Sequence, residues 1–326
     1  MILNLGGVTV DEIKHILKTQ FGVECTELTK IHGGLSAMNY KVKTVGQTFF
    51  LKVYDMKKAQ ASLWTENINC YIPVLIWLNE NTRLQGKIVR PIKTNKGDYR
   101  FYDDENVFLL FDYIEGETVG KTMTHAQILE AADIMACLHS NGNEIPVNME
   151  KMKEDFSVPF CLSLEHFIAE SYTTSPADVK AILQPCLEQL ILKINEVKSL
   201  SEKVKQKNIK MVLCHTDAHG LNLMQSENLV LVDWEGIKLA PAEADLTMFT
   251  KKEYWDVFIG RYNELRPKFI LDNDLFSFYI LRRKIEDIWA FLESILFDNL
   301  SDEQRKSNLN FLSKCCYTLE DLYFEL

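Results

Sequence analysis

The sequence predicts an α+β chain in two lobes, the first small and strand-rich, the second mainly helical. At 326 residues the chain exceeds the size at which a single core usually stops growing. Strand-like runs fall early, at Tyr40–Lys43, Thr48–Tyr54 and Phe108–Phe111, and beyond Gly116 most apolar residues recur at helical spacing. Hydrophobic residues make up 47% of the chain, enough to fill both lobes. The boundary is expected just after Tyr113, giving lobes of 1–113 and 114–326.

The first lobe opens with Ile31-His32-Gly33-Gly34-Leu35-Ser36-Ala37-Met38-Asn39 ahead of the first strand. Paired glycines let backbone N–H groups approach anionic oxygens, and Ser36 adds a hydroxyl donor. The same pair also suits a plain hairpin turn. In Thr48–Tyr54, Phe49, Leu51 and Val53 share one face, while Phe50, Lys52 and Tyr54 share the other. A lysine within such an apolar strand is costly to bury without an anionic partner. A helical stretch from about Ala59 to Leu78 follows and carries Glu66. Phe108–Phe111 then reads as a buried strand leading into Asp112-Tyr113-Ile114-Glu115-Gly116.

In the second lobe, Thr124–Leu138 is amphipathic and stops at His139-Ser140-Asn141-Gly142. Ser175-Pro176-Ala177-Asp178 has the form of a helix start, with a capping Ser and a Pro at the first helical position. Leu183, Leu187, Leu190, Ile191, Ile194 and Val197 share a face after it, and Pro185 is expected to kink or break the beginning. Leu275–Phe297 sets Phe278, Leu281, Ile285, Ile288, Trp289, Leu292, Ile295 and Leu296 at helical spacing, a core stripe.

The chemistry concentrates in His215-Thr216-Asp217-Ala218-His219-Gly220-Leu221-Asn222 and in Asp233, eleven residues after Asn222. Leu223-Met224, the polar turn Gln225–Asn228 and the apolar run Leu229–Val232 read as a β-hairpin. A hairpin returns the chain to its starting point, so Asn222 and Asp233 are expected side by side at its open end. Two oxygen donors there suit Mg²⁺ bound together with phosphate and water. Asp217, free of the metal, is placed to take a proton from an attacking hydroxyl. Each residue also has a plainer reading, because Asp and Asn are common turn formers. His215 is expected to be a buried, hydrogen-bonded residue rather than a base.

In this order the motifs resemble the aminoglycoside phosphotransferase and choline kinase-like family, relatives of the protein kinases, over about Ile31 to Leu246. The resemblance implies a protein-kinase-like fold with an antiparallel sheet in the small N-terminal lobe. It implies that Gly34 and Ser36 approach nucleotide phosphates, that Lys52 grips them, and that Glu66 holds Lys52. The backbone of Asp112 and Ile114 would meet the base of ATP or GTP, Asn222 and Asp233 would hold Mg²⁺, and Asp217 would act on the acceptor. Thr216 stands where the family usually has Gly, and Gly220-Leu221 replaces a frequent Pro-Gly, which bears on loop conformation. Asp245 matches an acid that braces the catalytic loop. Glu235 is a candidate contact to water, metal or substrate, and Glu286 and Asp287 are candidates for binding acceptor amines, with a solvated helix face as the plainer alternative.

The implied acceptor is a small hydroxylated molecule, first an aminoglycoside-type antibiotic, then a metabolite such as choline or homoserine. A nucleotide-binding pseudokinase with a scaffolding role is a further alternative. Only eleven residues separate Asp233 from Asp245, too few for the activation segment of a protein kinase. The formal net charge of −10 argues against a nucleic-acid partner and is compatible with a cationic acceptor. No apolar run is long enough to span a membrane and no signal-peptide pattern is present, so a cytoplasmic protein is expected. Eight cysteines without a C-x-x-C pair point to neither a zinc site nor a disulfide framework, and the His215/His219 pair belongs to the loop motif.

Overall fold

The computed structural model describes residues 8–31, 37–58, 61–141, 145 and 147–320. In chain order the elements are α1 (Val10–Phe21), β1 (Glu27–Ile31), β2 (Met38–Lys43), β3 (Thr48–Asp55), α2 (Ala61–Thr65), α3 (Ile68–Asn81), β4 (Arg100–Tyr102), β5 (Asn106–Asp112), β6 (Glu117–Thr118), α4 (His125–Leu138), α5 (Pro159–His166), α6 (Ala177–Leu183), α7 (Leu187–Lys205), β7 (Val212–Cys214), β8 (Leu223–Gln225), β9 (Leu229–Leu231), β10 (Lys238–Ala240), α8 (Glu243–Leu246), α9 (Lys252–Leu265), α10 (Asn273–Phe297) and α11 (Asp302–Tyr317). They form two compact units, Met1–Met152 with His215–Lys238, and Lys153–Cys214 with Leu239–Leu326. This division differs from a cut after Tyr113. Segment 114–152 and the 215–238 loop and hairpin belong with the strands, because β6 pairs with β8 and Leu231 bridges to Ile88.

In the first unit, β1-β2-β3-β5-β4 make an antiparallel sheet. Its register places Tyr40 opposite Leu51 and Leu51 opposite Leu110, so the middle of one face is apolar. On that face α1 lays Ile13, Leu17 and Phe21 against Val42, Phe49, Val53 and Phe108. The helix is fixed at both ends: Thr9 and Glu12 form a reciprocal capping box, and Gly22 closes it at φ 68°. The opposite face carries Lys52, paired across the sheet with Leu109. The expected helix from Ala59 to Leu78 is two helices, α2 and α3, with a turn at Glu66-Asn67 and Pro73 inside α3.

The second unit is mainly helical. Pro185 does interrupt the chain, leaving α6 and α7 joined by a short 3₁₀ turn. Helix α6 begins at Ala177, one residue later than expected, and the Ser175 hydroxyl is spent on the Tyr172 carbonyl instead of a cap. Leu190, Ile194 and Val197 of α7 are buried, but Ile191 is 41% exposed, since the apolar stripe is narrower than the spacing implied. Helix α10 buries Phe278, Leu281, Ile285, Ile288, Leu292 and Ile295, and its start is capped by Asp272.

Candidate active site

The hairpin forms as the sequence requires. Leu223 faces Leu231, Met224 faces Val230 and Gln225 faces Leu229 in an antiparallel pair. One step before it, the Val232 amide donates to the Asn222 carbonyl at 2.9 Å, which sets Asp233 beside Asn222.

The preceding loop is held from several directions. Asn222 donates its side-chain amide to the Asp217 carboxylate and to the Asp217 carbonyl, both at 2.9 Å. His219 Nδ1 accepts the Leu221 amide at 3.2 Å, which leaves its Nε2 to face Asp217 Oδ1 at 3.4 Å. His215 is fully buried, stacked edge-on to Trp234, with Nδ1 accepting the Asp217 amide and Nε2 lying 2.9 Å from the Val232 carbonyl. A carbonyl can only accept, so Nε2 is the donor in that contact. His215 is thus a brace between loop and hairpin, and the two histidines are committed to different partners. Gly220 is required by packing: a Cβ there would lie 2.1 Å from the Gly120 carbonyl oxygen.

Thr216 and Asp233 both adopt left-handed backbone, at φ 68° and 64°. For a β-branched residue that conformation is strained. The Thr216 hydroxyl offsets part of the strain by donating to the Gly236 carbonyl at 2.7 Å. At Asp233 the unusual backbone turns the chain out of the hairpin into a 3₁₀ turn at Trp234–Gly236.

Lys52 meets this turn from β3. Its Nζ lies 2.5 Å from Asp233 Oδ1 and 2.5 Å from Glu235 Oε1. The Tyr54 hydroxyl, two residues along the same face of β3, also donates to Glu235 Oε1. Burial pulls the Lys52 ammonium down, but the two carboxylates outweigh it and hold it above its ordinary value. Burial pushes the Asp233 carboxyl up, and the Lys52 charge and hydrogen bond together bring it below the usual carboxylate range. Asp233 therefore stays anionic with its second oxygen uncommitted among the described residues. Asn222 Oδ1 is likewise uncommitted, so the pair offers hard oxygen donors that fit Mg²⁺.

Other residues singled out in the sequence fall elsewhere. Gly34 and Ser36 lie outside the described residues. Glu66 is exposed in the turn between α2 and α3 and makes no ion pair with Lys52, because the helix ends at Thr65 before it can aim a carboxylate inward. Glu235 replaces it as the partner of Lys52, a role not expected for it. The Asp112 amide donates to the Arg90 carbonyl at 3.0 Å and its carboxylate pairs with Arg90, so Asp112 is tied to the sheet edge, while Ile114 follows the end of β5. In the second unit, Glu286 and Asp287 lie one turn from Arg282 and Arg283 on α10, at 3.7 and 3.0 Å, so both carboxylates already have cationic partners.

An antiparallel sheet carrying a buried lysine, and a loop and hairpin carrying Asp217, Asn222 and Asp233, define a kinase-like protein. The chain belongs to the phosphotransferase enzyme family, whose model matches residues 27–266, and is a small-molecule phosphotransferase. Among solved structures it is similar to spectinomycin phosphotransferase in complex with ADP and spectinomycin, with 18% identity, TM-score 0.77, and coverage of 96% of this chain and 99% of that one. It is also similar to a microcompartment-associated aminopropanol kinase, with 14% identity, TM-score 0.63 and coverage of 95% and 96%. Choline kinase LicA from Streptococcus pneumoniae gives 17% identity, TM-score 0.60 and coverage of 93% and 98%. At such identities these likenesses establish the fold. No curated protein sequence matches the chain. Among the described residues no helix is long and apolar enough to cross a membrane.

Proposed function

We propose that the chain transfers the γ-phosphoryl group of ATP or GTP to a hydroxyl of a small, amine-bearing molecule in the cytoplasm, with an aminoglycoside-type antibiotic as the acceptor class. The observation that carries this reading is the double hold of Asn222 on Asp217, both hydrogen bonds at 2.9 Å, next to an Asp233 that Lys52 keeps anionic. Phosphoryl transfer asks for positioning and charge neutralisation more than covalent help. Asp217, oriented by Asn222, accepts the proton of the acceptor hydroxyl as the oxygen attacks phosphorus. Lys52 holds the nucleotide phosphates. Asn222 Oδ1 and the free Asp233 oxygen would hold Mg²⁺, which when bound neutralises charge on the phosphates. The backbone near Ile114 is the place for the base.

The acceptor class rests on the net charge of −10, which favours cations, and on similarity over nearly the full chain to a spectinomycin phosphotransferase. The test is ADP release by the purified protein with Mg²⁺ and either ATP or GTP, against spectinomycin, several aminoglycosides, choline, aminopropanol and homoserine. An antibiotic that is phosphorylated, and that a susceptible bacterium tolerates when it expresses the chain, supports the reading. Turnover confined to choline, aminopropanol or homoserine replaces the acceptor. Nucleotide binding without turnover of any acceptor favours a pseudokinase.

A further inference from the structure

Two carboxylates of the first unit, Asp233 and Glu235, meet Lys52, and Tyr54 backs the second of them. Glu235 is nearly buried, at 12% side-chain exposure, whereas Asp233 keeps 42%. Glu235 therefore cannot trade Lys52 for water, but Asp233 can turn toward a ligand. Tyr54 is fully buried and donates its hydroxyl to the same Glu235 oxygen that meets Lys52. Glu66, in the turn before α3, faces solvent.

We propose that Glu235 is the permanent counter-ion of Lys52 and that Tyr54 is the residue that positions it, so that the lysine is held by the same turn that carries Asp233 and not by a helix glutamate. This rests on the phosphotransferase reading above. Two consequences follow. When phosphates and a cation arrive, Asp233 can release Lys52 without leaving the ammonium unpaired in a buried place, a situation that would otherwise be costly. The lysine site is also assembled by β3 and the Asp233–Gly236 turn alone, so it does not depend on the swing of a helix toward it.

The test separates this role from two others, a glutamate that binds Mg²⁺ and a merely structural one. ADP affinity is measured by calorimetry in EDTA and again with Mg²⁺, for the wild type, Glu235→Gln, Tyr54→Phe and Glu66→Gln. Loss of a charge-assisted hold on Lys52 is expected to weaken ADP binding in EDTA roughly 10-fold or more for Glu235→Gln, and a few-fold for Tyr54→Phe. The KM for nucleotide should rise while the KM for the acceptor stays within about twofold, and Glu66→Gln should match the wild type. The proposal is overturned if Glu235→Gln and Tyr54→Phe bind ADP normally in EDTA, if the defect of Glu235→Gln is seen only with Mg²⁺, or if Glu66→Gln reproduces it. Should Glu235→Gln fail to fold, Tyr54→Phe alone, which keeps the ring, decides the matter. A wild-type protein that binds no ADP would sink the phosphotransferase reading itself, and this proposal with it.

Discussion

Asn222 donates to the side chain and to the backbone of the same residue, Asp217, at 2.9 Å each. One amide group therefore fixes both the rotamer of the acid and the loop that carries it, and still presents its oxygen on the other side. Asn222→Ala removes the brace and, on the proposed reading, one metal donor as well. Turnover should fall by roughly 10²-fold or more, and the Mg²⁺ concentration needed for half-maximal rate should rise. Steady-state rates across a magnesium titration check both expectations.

Thr216 holds left-handed backbone at φ 68° with its hydroxyl on Gly236. Thr216→Gly loses a hydrogen bond worth about 1 kcal/mol but relieves strain of about the same size. Thr216→Ala loses the bond and keeps the strain. Chemical denaturation should therefore find Thr216→Ala less stable than Thr216→Gly by about 1 kcal/mol. Equal stability would mean that the loop is not strained.

Gly220 sits where a Cβ would come within 2.1 Å of the Gly120 carbonyl. Gly220→Ala should displace the short turn that carries Asn222, lowering turnover far more than it lowers thermal stability. Comparing kcat with the unfolding midpoint tests this, and a variant with wild-type turnover contradicts it.

Asp233 is held below the usual carboxylate range by Lys52 after burial has pushed the other way. A carboxylate with a depressed folded-state pKa adds stability at pH above its unfolded value, about 4, and loses it as pH falls through the folded value. The wild type should thus be more stable than Asp233→Asn at pH 6, by about 1 kcal/mol once discounted for a side chain that is 42% exposed. That gap should close as the pH drops below about 4. Urea unfolding of both proteins from pH 6 to pH 3 measures it.

Much of this was legible in the residues. The hairpin announced itself because its two strands are apolar and its turn polar, and that alone set Asn222 beside Asp233. Lys52 stood out because an ammonium on an apolar strand demands an acid. Which acid answers was not legible: Glu66 looked suitable while the stretch from Ala59 read as one helix, but the chain turns at Glu66-Asn67 and the carboxylate points away. Glu235 could have been found by asking what lies opposite Tyr54, which shares the face of Lys52, although only the fold brings residues 183 apart in sequence together. Helix α1 was not anticipated, although its signal was plain: Thr9 and Glu12 are spaced as a capping box, Ile13, Leu17 and Phe21 lie on one side, and Gly22 stands at the end. The division into units was hidden because pairing of β6 with β8 depends on contacts more than a hundred residues apart.

Asp217 is proposed to take the proton of the acceptor hydroxyl. Replacing it with Asn keeps the shape and the place at Asn222 but removes the basic oxygen. With saturating Mg²⁺, nucleotide and an acceptor that the wild type phosphorylates, Asp217→Asn should transfer phosphate roughly 10²–10⁴-fold more slowly, while its nucleotide affinity changes little. Transfer at the wild-type rate would rule out that role.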